Sequence, residues 1–194
     1  MSGSKRLRRA ALLTALAAGL ALTGCSSANS GGQSEFSTGT DGLGTVSPAG
    51  RKPAPAISGT DLEGKPLALS DYQGKIIVIN IWGSWCTSCR AEAKGLEQVY
   101  EADKAQGVQF LGINTRDTDV TNAQRFEQTH GISYPSLYDP DGTQLLKFPK
   151  GSFDPQLLPA TLVVDRQGRL AARALQPVSS ADLESLLTPL LAEH

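Results

Sequence analysis

The chain has 194 residues, of which 40% are hydrophobic and 19% charged, with 20 Gly and 11 Pro, enough for one ordinary hydrophobic core. Lys and Arg number 18 against 19 Asp and Glu, a net charge of −1. That balance gives no reason to expect a nucleic-acid partner.

The first features in chain order concern export. Lys5, Arg6, Arg8 and Arg9 precede an uncharged Ala/Leu run of 13 residues, Ala10 to Leu22. A membrane-spanning helix needs about 20 apolar residues, so the run has the length of a signal-peptide core. Leu22-Thr23-Gly24-Cys25 follows at once and resembles the bacterial lipobox, which implies cleavage before Cys25 and its acylation. Residues 1–24 therefore read as a lipoprotein signal peptide, with an ordinary secretory leader as the alternative. The Arg8-Arg9 pair leaves the general secretory and twin-arginine routes both open. Loss of the leader removes four positive charges and leaves an acidic mature chain without a polybasic membrane patch.

Residues 26–55 are poor in large apolar side chains and rich in Gly, Ser, Thr and Pro, the composition of a linker. About 25 such residues span roughly 25–30 Å. The chain thus divides into a leader (1–24), a flexible tether (25–53) and a folded domain (54–194).

Within that domain Gly64-Lys65-Pro66 stands before a short apolar run at 67–69, and Gly74-Lys75 before Ile76 to Ile81, which reads as a buried strand. After Trp82-Gly83-Ser84-Trp85-Cys86, the apolar residues Ala91, Ala93, Leu96, Val99 and Tyr100 follow helical spacing. A strand at 108–114, a helix at 120–129, a short strand at 134–138 and a helical turn at 143–148 come next. Ala160 to Asp165 and Leu170 to Leu175 flank Arg166-Gln167-Gly168 as a hairpin, and a helix is expected over 181–192. The alternation predicts an α/β domain with a mixed central sheet and helices on both faces.

The three cysteines carry the chemistry. With Cys25 assigned to lipid, Cys86 and Cys89 remain as an isolated Cys-x-x-Cys pair at the start of a helix. There the unpaired backbone N–H groups and the helix dipole favour thiolate, so the Cys86 pKa should fall below the free value of about 8.5. Cys89, three residues on, shares the helical face and could resolve a mixed disulfide formed at Cys86. A zinc site lacks ligands, because the histidines are His130 and the terminal His194. A covalent haem site would need His where Arg90 stands. A structural disulfide stays open.

Trp82-Gly83-Ser84-Trp85-Cys86-Thr87-Ser88-Cys89-Arg90-Ala91-Glu92 resembles the active-site segment of the TlpA/ResA group of membrane-anchored, thioredoxin-like thiol-disulfide oxidoreductases. Leu158-Pro159-Ala160-Thr161 with Asp165-Arg166-Gln167-Gly168 is similar to the group's cis-proline strand and hairpin. The likeness extends from about Ala54 to Leu191 and implies a thioredoxin-like fold with an N-terminal hairpin extension. It implies that Pro159 is a cis-proline facing the cysteines and that the backbone of Leu158 pairs with an extended substrate. It also implies that Glu92, three residues beyond Cys89, is a partly buried acid exchanging protons with that cysteine. A solvated Glu92 stabilising the helix start is the alternative. Trp85 is the better candidate of the two tryptophans for the rim of the site. Two departures stand out: Thr87-Ser88 replaces a pair that often contains proline, and the segment 147–157 is longer than usual.

The expected function is an extracytoplasmic disulfide reductase, lipid-anchored at the outer face of the cytoplasmic membrane through Cys25. It would act on exported proteins such as apocytochrome c and be re-reduced by a membrane thiol carrier, with no metal and no cofactor beyond the Cys86/Cys89 pair. The alternatives are a thiol oxidase or isomerase of the same fold, a peroxidase, or a tethered binding lipoprotein with an inert disulfide. The peroxidase pattern Pro-x-x-x-Thr-x-x-Cys fails here, since Ile79 and Gly83 occupy the proline and threonine places.

Overall fold

A computed structural model describes residues 36–39 and 42–193; the leader and Cys25 lie outside them. Among the described residues nine strands and three α-helices run in chain order. The strands are β1 (Ser37–Thr38), β2 (Leu43–Thr45), β3 (Ser58–Thr60), β4 (Pro66–Ala68), β5 (Ile76–Trp82), β6 (Val108–Thr115), β7 (Ser136–Asp139), β8 (Ala160–Val164) and β9 (Leu170–Ala174). The helices are α1 (Thr87–Asp103), α2 (Val120–His130) and α3 (Ser180–Ala192). Single 3-10 turns occupy Leu69–Tyr72, Lys104–Gln106 and Leu145–Lys147.

Seven strands form one sheet in the order β1-β2-β9-β8-β5-β6-β7, and β3 and β4 pair as a separate hairpin. β5, β6 and β7 are parallel, whereas β8, β9, β2 and β1 each join antiparallel, so the sheet is mixed as expected. Every residue of β5 is buried. A strand covered on both faces needs an unbroken apolar run rather than alternation, and Ile76 to Ile81 supplies it but for Asn80.

The two faces are covered differently. On one, Ile76, Val78 and Phe110 pack with Leu96 and Val99 of α1 and with Leu183 and Leu187 of α3. Trp82, in phase with Ile76 and Val78, stacks on Phe126 of α2 with ring centroids 4.5 Å apart, so all three α-helices share this side. On the other, Ile77, Ile79, Ile81, Leu111 and Leu162 are closed over by Ile57 and by Leu69, Leu145 and Phe148 from the short turns and the segment after them. Helical elements therefore cover both faces, with only 3-10 turns on the second.

The flexible tether expected through residue 53 ends earlier. Leu43–Thr45 pairs with β9 at Leu43↔Ala174 and Thr45↔Ala172, and Pro53 bridges Arg169. The Arg51 side chain is buried, its Nη1 3.0 Å from Asp165 Oδ2 and 2.6 Å from Glu193 Oε2. The segment is polar, yet its backbone completes the sheet edge and its one guanidinium joins the hairpin after β8 to the end of α3. Both the β1–β2 ribbon and the β3–β4 hairpin precede the first central strand, a fuller version of the N-terminal hairpin extension.

Candidate active site

The parallel strand β5 ends at Trp82, and the chain turns through Gly83, Ser84 and Trp85 into α1. Cys86 is the N-cap of that helix, with extended backbone, and its sulfur accepts the Cys89 N–H at 3.1 Å. This is the orphan-donor position at which a helix start favours negative charge. Cys86 and Cys89 are joined as a disulfide, their Cα atoms 5.3 Å apart. Both are buried and belong to an apolar cluster with Leu62, Trp82, Ala93, Ala123 and Phe126.

The turn that presents Cys86 is held from the loop after β6. Asp117 is buried; its Oδ2 accepts the Ser84 N–H at 2.8 Å and the Asn114 Nδ2 at 2.7 Å, and its Oδ1 accepts the Ser84 hydroxyl. Tyr138 donates its hydroxyl to the Asp117 carbonyl at 2.9 Å. Arg90, in the first turn of α1, donates from Nη2 to the Ser84 carbonyl at 2.8 Å. Trp85 is 47% exposed beside the disulfide, and the Arg116 guanidinium lies over its ring at 4.8 Å. The indole folds back across Gly83, where a Cβ would stand 2.6 Å from Trp85 Nε1 and 3.1 Å from the Thr115 carbonyl; only glycine fits there.

Glu92 is buried at 4% exposure, one helical turn beyond Cys89 on the core-facing stripe of α1. Asn80 of β5 donates from Nδ2 to Glu92 Oε1 at 2.9 Å, and the Val178 N–H donates to Oε2 at 2.9 Å. Burial pushes the carboxyl up to about 7, against the lowering pull of the Val178 and Asn80 hydrogen bonds. The Asn80 amide also reaches Thr161 Oγ1 at 3.3 Å, so one polar residue of β5 links the acid to β8. The exposed, helix-stabilising alternative for Glu92 does not match this burial.

The Leu158–Pro159 peptide is cis. β8 begins directly after it, with Ala160 opposite Ile81 of β5, so the peptide continues the sheet alongside the end of β5 and the redox turn. Leu158 packs against the cluster that holds both cysteines. The structure thus brings Cys86, Cys89, Trp85, Glu92, Leu158 and Pro159 to one end of the sheet, while Cys25 lies outside the described residues. Among the described residues no group of three or more His, Cys, Asp and Glu side chains could hold a metal ion.

Sequence reasoning passed over Asn80, Thr161, Arg116 and Asp117. Asn80 had a visible signal, a single amide inside a six-residue apolar run, where an unpaired polar group would be costly. Arg116 and Asp117 had none beyond their place after a buried strand.

Comparison with known proteins agrees with this arrangement. The family model described as the AhpC/TSA family matches residues 51–173. The thiol-disulfide oxidoreductase ResA of Geobacillus kaustophilus is 30% identical over 131 residues, 68% of this chain and 72% of the relative. The crystal structure of a DsbF homologue from Corynebacterium diphtheriae is similar with a TM-score of 0.72 and 35% identity, over 78% of this chain and 95% of that one. A secreted thiol-disulfide isomerase from Corynebacterium glutamicum gives 0.73 and 34%, over 79% and 94%. The chain belongs to the AhpC/TSA family of thioredoxin-fold proteins and, within it, is a thiol-disulfide oxidoreductase of the ResA type.

Proposed function

We propose that this oxidoreductase works as a disulfide reductase outside the cytoplasm, tethered by lipid on Cys25, with exported proteins such as apocytochrome c as substrates. The observation that carries the direction of electron flow is the buried Glu92, one helical turn beyond Cys89, with both cysteines buried in an apolar cluster. A strong oxidant owes its potential to a stabilised reduced form. Here the helix start favours a Cys86 thiolate, but a neighbouring acid and a desolvated setting work against it, so the dithiol readily gives up its electrons.

In the forward reaction the Cys86 thiolate attacks a substrate disulfide, and one substrate sulfur leaves and takes up a proton. Glu92 in its carboxylate form removes the Cys89 proton, and Cys89 then attacks the Cys86 sulfur. The second substrate thiol leaves, and the protein keeps the Cys86–Cys89 disulfide, two electrons having passed to the substrate. A membrane dithiol carrier returns two electrons and two protons. Leu158, ahead of Pro159, offers the backbone edge for an extended substrate, with Trp85 on the rim. The leader pattern supports the location, as does the secreted relative from C. glutamicum; no helix among the described residues is long and apolar enough to cross a membrane.

Titration of the Cys86/Cys89 couple in redox buffers tests the direction. A potential near the thioredoxin value of about −270 mV is expected; one near the DsbA value of about −120 mV would overturn it in favour of a thiol oxidase or isomerase. Cys86→Ser should abolish insulin reduction and Cys89→Ser should accumulate mixed disulfides, from which the physiological substrate can be identified. Hydrogen-peroxide consumption by the dithiol form should be negligible, because Ile79 and Gly83 stand where a peroxidase needs Pro and Thr.

A further inference from the structure

Beside the redox turn a groove of about 480 Å³ opens between the start of α1 and α2, lined by Ser84, Trp85, Arg90, Arg125, Phe126 and His130 among others, none of them acidic. Arg90 and Arg125 are exposed. Of the nearby acids, Asp117 holds Ser84 and Asn114, Glu127 turns to Ser136, and Asp119 caps α2 through the Thr121 N–H while its charge also bears on Arg125. Arg116 adds a further cation against Trp85; its Nε and Nη2 are buried without a hydrogen-bond partner.

We propose that this groove is a substrate subsite selecting proteins that carry an acidic segment next to the cysteine being reduced. The proposal rests on the reductase reading and names the class of substrate. Ser84 and Trp85 belong both to the groove and to the turn before Cys86, so a chain whose disulfide sits at Cys86 passes into the groove within a few residues. The exposed indole supplies a flat face for it. Arg90 spends one nitrogen on the Ser84 carbonyl and keeps the remainder of its fork for a carboxylate, while Arg125 presents a second fork from α2. A positive groove on an otherwise acidic mature chain also steers acidic partners to the reactive sulfur and disfavours basic ones.

The test uses the full mature chain in its dithiol form and three disulfide peptides that are identical except for Glu, Gln or Lys at the two positions beside one cysteine. The rate of peptide reduction is followed by chromatography at low and high salt. The Glu peptide should react about ten-fold faster than the Lys peptide at low ionic strength, narrowing to about two-fold in 0.5 M NaCl. Arg125→Glu should invert the order, and Arg125→Lys should retain most of it. Equal rates for all three peptides, or a preference untouched by Arg125→Glu, would overturn the subsite and leave the reductase standing. Failure to reduce any of the three would overturn both.

Discussion

Glu92→Gln gives the most direct test of the buried acid. In the oxidised protein the carboxyl is raised from 4.5 to about 7, chiefly by burial. The native state therefore holds a proton that the unfolded chain has already released between about pH 4.5 and pH 7, and stability falls as pH rises through that window, then levels. At 1.36 kcal/mol per pH unit this makes a difference of about 3 kcal/mol. Glutamine has nearly the same volume and, like the protonated acid, can accept only one good hydrogen bond from the two donors, Asn80 Nδ2 and the Val178 N–H. Parent and variant should thus have similar stability near pH 5 and diverge by about 2–3 kcal/mol at pH 8, the variant being the more stable. Urea unfolding of the oxidised proteins at pH 5, 6, 7 and 8 measures this, and the matching difference in Tm at pH 8 is roughly 5–10 °C. Glu127, raised by burial in the same way to about 7, gives a pH slope of the same sign to both proteins and cancels in the comparison. An identical pH slope in parent and variant would refute the claim that burial raises the Glu92 carboxyl.

Three further substitutions probe how the site is supported. Arg51→Ala removes a buried guanidinium from Asp165 and Glu193 and should cost about 2–4 kcal/mol by chemical denaturation. The loss should shrink as pH falls through the Asp165 pKa, which the hydrogen bonds of Arg169 and Arg51 hold low despite burial. Gly112→Ala would place a Cβ 2.0 Å from Ser136 Oγ and 2.9 Å from Trp82 Nε1. It should destabilise by about 1–3 kcal/mol, visible in the urea midpoint. Asp117→Ala removes the acceptor for both Ser84 donors and for Asn114; thermal unfolding should report a loss of about 2–3 kcal/mol, and the alkylation rate of Cys86 should fall as the turn loosens.

The central strands and helices were legible because their signals are local. Ile76 to Ile81 is a run that only a doubly covered strand requires, and its observed span of Ile76–Trp82 differs by one residue. The 166–168 hairpin and the final helix likewise announce themselves by turn chemistry and spacing. The tether illustrates the opposite case. Leu43–Thr45 has three residues and one Gly, so nothing in it predicts a strand. Its order comes from β9, some 130 residues away in sequence, and from Arg51 meeting Asp165, contacts that composition does not encode. The spacing over 120–129 matches the helix Val120–His130, but nothing in it places that helix beside α1 or Arg125 next to the redox turn.

The site shows the same division between local and distant causes. Cys86 and Cys89 need only a helix start, and the spacing to Glu92 follows from one turn of that helix. What raises the Glu92 carboxyl is burial, and the groups that hold it there come from three separated stretches: Asn80 on β5, Thr161 on β8 and the Val178 N–H before α3. Asn80 is the joint, because a single amide touches both the acid beneath Cys89 and the strand that follows Pro159. When Glu92 gains or loses its proton, the acceptor strength offered to Asn80 changes, and the amide shares that change with Thr161. The proton exchange proposed for Glu92 would therefore be felt, through Asn80, on the strand that follows Pro159. An apolar residue at position 80 would leave Glu92 Oε1 without its donor in a desolvated core, raising the acid further and removing the link at the same time.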